Sequence, residues 1–209
     1  MFYDADIRPH LMTLLNGDHA QPGAYVIEEL DMRETIADVV VAGVDLQAFE
    51  IKAERDTLRR LPRQVVHYSR LFDRACLVTT TSHRSDAMRI IPEWWGIMIA
   101  SPPGALAWDR PCTPNPAVDP LALARVLWKH DLLRILKRVG AAHGLSKARW
   151  SVVRQRFHEV FPNIDDVRRE VRDVIKANEI RRRSPKPTYE ALKLQFASST
   201  PPASTLSRP

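Results

Sequence analysis

The stretch Ile36-Ala-Asp-Val-Val-Val-Ala-Gly-Val-Asp-Leu-Gln-Ala-Phe-Glu-Ile-Lys52 decides the fold. Its first seven residues are apolar apart from Asp38, and a second apolar run over 48–53 is interrupted only by Glu50 and Lys52. Between the runs lie Gly43 and Asp45, residue types that close short connections between antiparallel strands. Successive side chains of a strand point to opposite faces, so Glu50 and Lys52 share one face and Ile51 takes the other. Antiparallel pairing through the turn brings Asp38 alongside Glu50. Two carboxylates and an ammonium thus meet on one sheet surface, inside the most apolar strands of the chain, where charge is costly to bury without a purpose.

Elements of both kinds surround this hairpin. Ile7, Leu11, Leu14 and Leu15 recur at helical spacing over 4–15, with Asp4 or Asp6 as N-cap and Asn16-Gly17 as stop. Residues 24–30 give a strand ahead of the hairpin, so 24–53 reads as a three-stranded meander. Over 56–72, Leu58, Leu61, Val65, Tyr68 and Leu71 mark a helix capped by Asp56, with Pro62 bending or restarting it. A strand over 75–81, a short helix over 86–91 and a strand over 96–100 follow. The order is αβββαβ with one further helix and strand, an α/β fold.

Six prolines crowd the segment from Pro102 to Pro120, which predicts no regular element there. The organisation expected is therefore a core over 1–101, a Pro-rich linker over 102–120, and a basic bundle of about three helices over 121–180 (121–139, 146–161 and 164–180). Residues 181–209 read as a basic, Ser/Pro-rich disordered tail.

The chain has 209 residues, of which 44% are hydrophobic and 27% charged, enough for a sizeable core and excluding a disordered or fibrous protein. No apolar run approaches the roughly 18 to 20 residues that cross a bilayer. Acids stand where a secretory signal would carry basic residues, so a soluble cytoplasmic protein with no membrane partner is expected. Cys76 and Cys112 are too few for a disulfide framework, and Cys76, within Ala75-Cys-Leu-Val78, reads as a buried hydrophobe. Residues 1–119 carry 12 Lys+Arg against 17 Asp+Glu, whereas the remainder carries 19 against 8. An acidic half joined to a basic half suits an enzyme with a carboxylate cluster and a polyanion-binding arm.

Two acids close together repel unless a cation lies between them. A hard divalent cation takes one or two carboxylates and leaves its other positions to water and phosphate oxygens. Asp38 and Glu50 could hold Mg²⁺ or Mn²⁺, with the main-chain carbonyl of Ile51 completing the set. Either Glu28 or Glu29 can face the ion, and Glu29 is the one selected. Lys52 would orient the attacking water or stabilise developing negative charge, the arrangement for phosphodiester hydrolysis.

Asp38 followed by Glu50-x-Lys52 across a hairpin, preceded by a helix, resembles the PD-(D/E)xK nuclease superfamily, with Ala37 standing where the motif's name shows Pro. Gln64-x-x-x-Tyr68 on the next helix resembles the QxxxY feature of its RecB-like branch. The string Phe49-Glu-Ile-Lys-Ala-Glu-Arg-Asp-Thr-Leu-Arg-Arg-Leu-Pro-Arg-Gln64, with Ile91-Pro-Glu-Trp-Trp-Gly96, is similar to a little-characterised family of small bacterial and phage proteins within that superfamily. The resemblance covers most of 24–180. It implies a restriction-endonuclease-like αβββαβ core with a mixed sheet, followed by a C-terminal helical domain. It further implies a catalytic set of Asp38, Glu50, Lys52, Gln64 and Tyr68, with Gln64 and Tyr68 positioning the substrate or the metal ligands.

The expected function is a metal-dependent nuclease acting on DNA, with RNA not excluded and a homodimer compatible with double-strand cutting. The alternative is a non-catalytic nucleic-acid-binding or phage/defence assembly module on a nuclease-like fold. Lys129, Arg134, Lys137, Arg138, Lys147, Arg149, Arg154 and Arg156 supply phosphate contacts without a sequence-reading motif. His67 and His83 read as ordinary groups, Trp94 and Trp95 as caps of the sheet core, and Trp150 and Phe157 as core of the bundle. Arg59, Arg60 and Arg63 form either a solvated helix face or a backbone-binding one.

Overall fold

The computed structural model describes residues 3–17 and 21–183. Six strands form one mixed sheet, and among the described residues seven α-helices flank it. They run α1 (Asp4–Asn16), β1 (Tyr25–Asp31), β2 (Ile36–Ala42), β3 (Leu46–Lys52), α2 (Leu61–Leu71), β4 (Arg74–Thr79), α3 (Thr81–Ile90), β5 (Gly96–Ser101), β6 (Ala105–Arg110), α4 (Pro120–Arg125), α5 (Lys129–Arg138), α6 (Trp150–Val160) and α7 (Ile164–Arg183). Strand order in space follows strand order in the chain. The pairs β1–β2, β2–β3 and β5–β6 are antiparallel, while β3–β4 and β4–β5 are parallel and are joined through α2 and α3. Helical crossovers of this kind are what parallel neighbours require.

Both sheet faces are covered, which explains why the strands read as near-continuous apolar runs. On one face α1 lays Ile7 and Leu11 against Val39, Val41, Phe49, Ile51, Val78 and Met98. Full burial of those two side chains contributes about 3–6 kcal/mol. On the other face Val40, Ala48, Leu77 and Ile97 meet Leu61, Val65, Tyr68 and Leu71 of α2, and the same cluster continues through Leu123, Leu132, Phe157 and Val171. The C-terminal helices therefore share an apolar core with the sheet.

Several expectations are corrected. The Pro-rich segment contains a strand: Gly104, at φ 132°, turns the chain so that Ala105 pairs with Ser101 and β6 extends the sheet. Further on, Asn115 donates to the carbonyls of Ser69 (2.8 Å) and Phe72 (2.7 Å), pinning the segment to the end of α2. The helix expected over 121–139 is two helices, α4 and α5, so 121–180 holds four rather than three. Residues 181–183 continue α7, and the rest of the tail lies outside the described residues. Helix α3 begins at Thr81 rather than near Asp86. Pro62 falls in the first turn of α2, where no backbone N–H is needed, after a short 3-10 turn over Leu58–Arg60. Asp56 accepts from the Ala53 amide (2.8 Å) instead of capping the helix.

Candidate active site

Register carries the two carboxylates together. Val39 pairs with Phe49 at the last bridged step of the β2–β3 ladder, and the next step carries Asp38 on one strand and Glu50 on the other. There the ladder changes character: the Ile51 amide donates to Asp38 Oδ2 (2.8 Å). From the opposite face Arg8 of α1 donates to the Asp38 carbonyl (3.0 Å), fixing the backbone that carries the acid.

Glu50 is the hub. Lys52 Nζ and Gln64 Nε2 both donate to Oε1, the latter at 2.5 Å, and the Tyr68 hydroxyl donates to Oε2 at 2.5 Å. Gln64 and Tyr68 lie one turn apart on α2 and so face the sheet together. Tyr68 is itself locked by stacking on Trp95, with ring centroids 5.4 Å apart, and by an edge contact with Phe72 at 5.0 Å. Lys52 is fixed at its backbone too, since the Thr79 hydroxyl donates to its carbonyl (2.8 Å). Glu50 is 1% exposed and Lys52 4%, so an ion pair sits at the floor of the site with half-buried Asp38 above it.

Burial, and then the charge of Glu50, push the Asp38 carboxyl up to about 6; the Ile51 amide, Lys52 and Arg8 oppose the shift without cancelling it. The Tyr68 hydroxyl is held well above its ordinary range by burial and by the adjacent Glu50, so it is a donor throughout the working pH range. Gln64 Oε1 is buried and has no hydrogen-bond partner among the described residues. An orphaned acceptor on the side chain that donates to Glu50 leaves a place for a hydrogen-bond donor at the site.

The structure thus brings together Asp38, Glu50, Ile51, Lys52, Gln64 and Tyr68. It does not add Glu29 to them. That residue is exposed, adopts left-handed backbone (φ 51°), and lines a cavity of about 300 Å³ with Asn178, Glu179 and Arg182 of α7. Glu28 lies 3.9 Å from Arg8. Sequence reading missed Arg8 and Thr79, because neither contact follows from local spacing. His67 approaches Glu34 (3.4 Å), Trp95 is fully buried in the core, and Cys76 is likewise buried.

A family model described as bacteriophage P4 protein cII matches residues 2–185. The chain belongs to that family. No curated protein matches it. Among solved structures, the SPO1766 protein of unknown function from Silicibacter pomeroyi is 20% identical, with 60% of this chain and 87% of the other covered and a TM-score of 0.38. In this P4 cII family member the match takes in every residue of the cluster and all seven helices. No helix is long and apolar enough to cross a membrane, among the described residues.

Proposed function

We propose that this chain is a metal-dependent nuclease that hydrolyses phosphodiester bonds, with DNA as substrate, on a core of the restriction-endonuclease type. The observation that carries the reading is the convergence of Asp38, Glu50 and Lys52 at the open end of the β2–β3 ladder, with Gln64 and Tyr68 supporting Glu50 from α2. The donor set fits a hard divalent cation. Asp38 and Glu50 repel each other, which a cation between them would relieve, and the unpartnered Gln64 Oε1 can accept from a water or substrate hydroxyl held there. No group of three or more His, Cys, Asp or Glu is arranged as a metal site among the described residues, so the protein would contribute the two carboxylates and the Ile51 carbonyl. When bound, Mg²⁺ or Mn²⁺ supplies Lewis-acid polarisation of the phosphodiester.

The protein's own groups do the rest. Lys52 holds its ammonium beside Glu50 for the attacking water or the charge that develops on phosphate oxygens. Tyr68 and Gln64 orient the Glu50 carboxylate, and Arg8 and the Ile51 amide orient Asp38.

A second reading has its own support. Three donors occupy Glu50 and it is almost fully buried, as in a structural ion pair within a non-catalytic nucleic-acid-binding or phage assembly module. Purified protein and its Lys52→Ala variant, incubated with supercoiled and linear DNA in Mg²⁺, Mn²⁺ or EDTA, separate the two. Metal-dependent cutting by the wild type alone supports the nuclease. Retained cutting by Lys52→Ala removes that residue's role, and no cutting by either protein favours the second reading.

A further inference from the structure

A second concentration of chemistry lies where the β1–β2 turn faces the starts of α5 and α6. Arg33, Glu34, Arg125, Trp128, Lys129 and Trp150 line a cleft there of about 430 Å³. Trp128 is 54% exposed, so one of its ring faces is open to the cleft's surroundings. The Arg33 guanidinium carbon sits 3.3 Å from the Trp128 ring centroid, and that of Arg154 sits 4.4 Å from the Trp150 ring. Arg33 adopts left-handed backbone (φ 72°), and its amide is tied to Asp31 Oδ1 (2.7 Å). The acid in the cleft is Glu34, and its carboxylate is already shared by His67, Arg70 and Arg125 at 3.4–3.6 Å. Arg33 and Lys129 therefore leave the cleft cationic.

A guanidinium stacked on an indole keeps its outer plane and its N–H donors available, and both that plane and a free indole face accept any nucleobase. Bases within a duplex are already stacked, so a duplex could use only the cations of such a cleft. We propose that this surface binds single-stranded nucleic acid. Bases stack on the Trp128–Arg33 and Trp150–Arg154 pairs, and Arg125 and Lys129 meet phosphates. Glu34 pairs with His67 of α2, the helix that carries Gln64 and Tyr68, so cleft and carboxylate cluster adjoin the same helix, and on the nuclease reading the strand held in the cleft is the substrate. Only that last step rests on the nuclease reading, since binding itself does not require cleavage.

Fluorescence anisotropy of the full chain in EDTA, over a range of salt concentrations, tests the proposal with a labelled oligonucleotide of about 20 nucleotides and its duplex. The single strand should bind more tightly than the duplex and quench tryptophan fluorescence. Trp128→Ala and Trp150→Ala should each weaken it about 5- to 100-fold, with Trp128→Phe losing less. Trp108→Ala, at an exposed tryptophan on the opposite sheet edge, should bind as wild type. Thermal melts check folding, and Arg33→Gln, which leaves both indoles in place, should also weaken the single strand. Equal binding of duplex and single strand, or tryptophan variants within about twofold of wild type, would overturn the proposal and place contacts on the basic helices. Binding of a polyglutamate peptide but not DNA would also overturn it, in favour of an acidic protein partner. Tight binding with no cleavage once Mg²⁺ is restored would leave this proposal standing and refute the nuclease.

Discussion

Replacing Asp38 by Asn in metal-free protein should stabilise the fold, and do so only above a definite pH. The folded-state carboxyl titrates at about 6 against an ordinary value of 3.8. At about 1.4 kcal/mol per pH unit that gap amounts to about 3 kcal/mol. Because the folded pKa is the raised one, the native state holds this proton more tightly than the unfolded chain. Its contribution is fully present below about pH 3.8 and is lost as pH rises toward 6. Above that, a charged Asp38 faces Glu50 in a half-buried setting and costs the full amount. An Asn is neutral throughout and can still accept from the Ile51 amide through Oδ1. Urea unfolding in EDTA from pH 4 to 8 should show the two proteins nearly equal at the acid end. Asp38→Asn should then gain steadily up to about pH 6 and hold a roughly constant advantage of about 3 kcal/mol above it. A pH-independent difference, or a variant less stable than wild type at pH 8, would refute the argument that burial and Glu50 dominate this carboxyl.

Three further outcomes follow from the same geometry. Tyr68→Phe keeps the ring stacked on Trp95 but removes a donor from buried Glu50, so unfolding free energy should fall by about 1.5–3 kcal/mol; a smaller loss in a Glu50→Gln background would confirm the coupling. Gly96→Ala would place a Cβ 2.8 Å from the Trp108 ring and 2.9 Å from the Cys112 amide, and should cost about 1–3 kcal/mol in thermal denaturation. Added Mg²⁺ should raise the melting temperature of the wild type and leave that of Asp38→Asn unchanged; equal shifts would mean the ion binds elsewhere.

What the sequence disclosed follows from the range of the forces involved. Period-two patterning is local, so the hairpin, its register and the shared face of Glu50 and Lys52 were legible, and helical spacing likewise placed α1 and α2. The strand β6 was not, because Ala105–Arg110 is largely exposed and lies among prolines; only pairing with β5 makes it a strand. The break between α4 and α5 occurs at Leu127-Trp128, where the apolar pattern continues but Asp131 accepts from the Trp128 amide and starts a new helix. In α3 only Ala87 is buried, so Thr81 to Ser85 offered no stripe to read. Within the site, strand alternation assigns faces but not bond partners. That Gln64 and Tyr68 both donate to Glu50, and that Arg8 reaches Asp38 from thirty residues away, depends on how α1 and α2 settle on the sheet.

The coincidence of spatial and chain order among the strands bears on how the molecule assembles. Each strand's partner is the next one to be synthesised, so an emerging chain can extend its sheet one strand at a time, and the carboxylate hairpin has both neighbours once β4 is made. Closures over short intervening loops are entropically cheap and fast. Contacts from α7 must wait longer: Arg168 pairs with Asp73 (2.8 Å), and at the far end of the helix Arg183 donates to the Val26 carbonyl at 2.5 Å across a separation of 157 residues. That clasp can form only once α7 has been made, after every strand of the sheet and both carboxylates of the site.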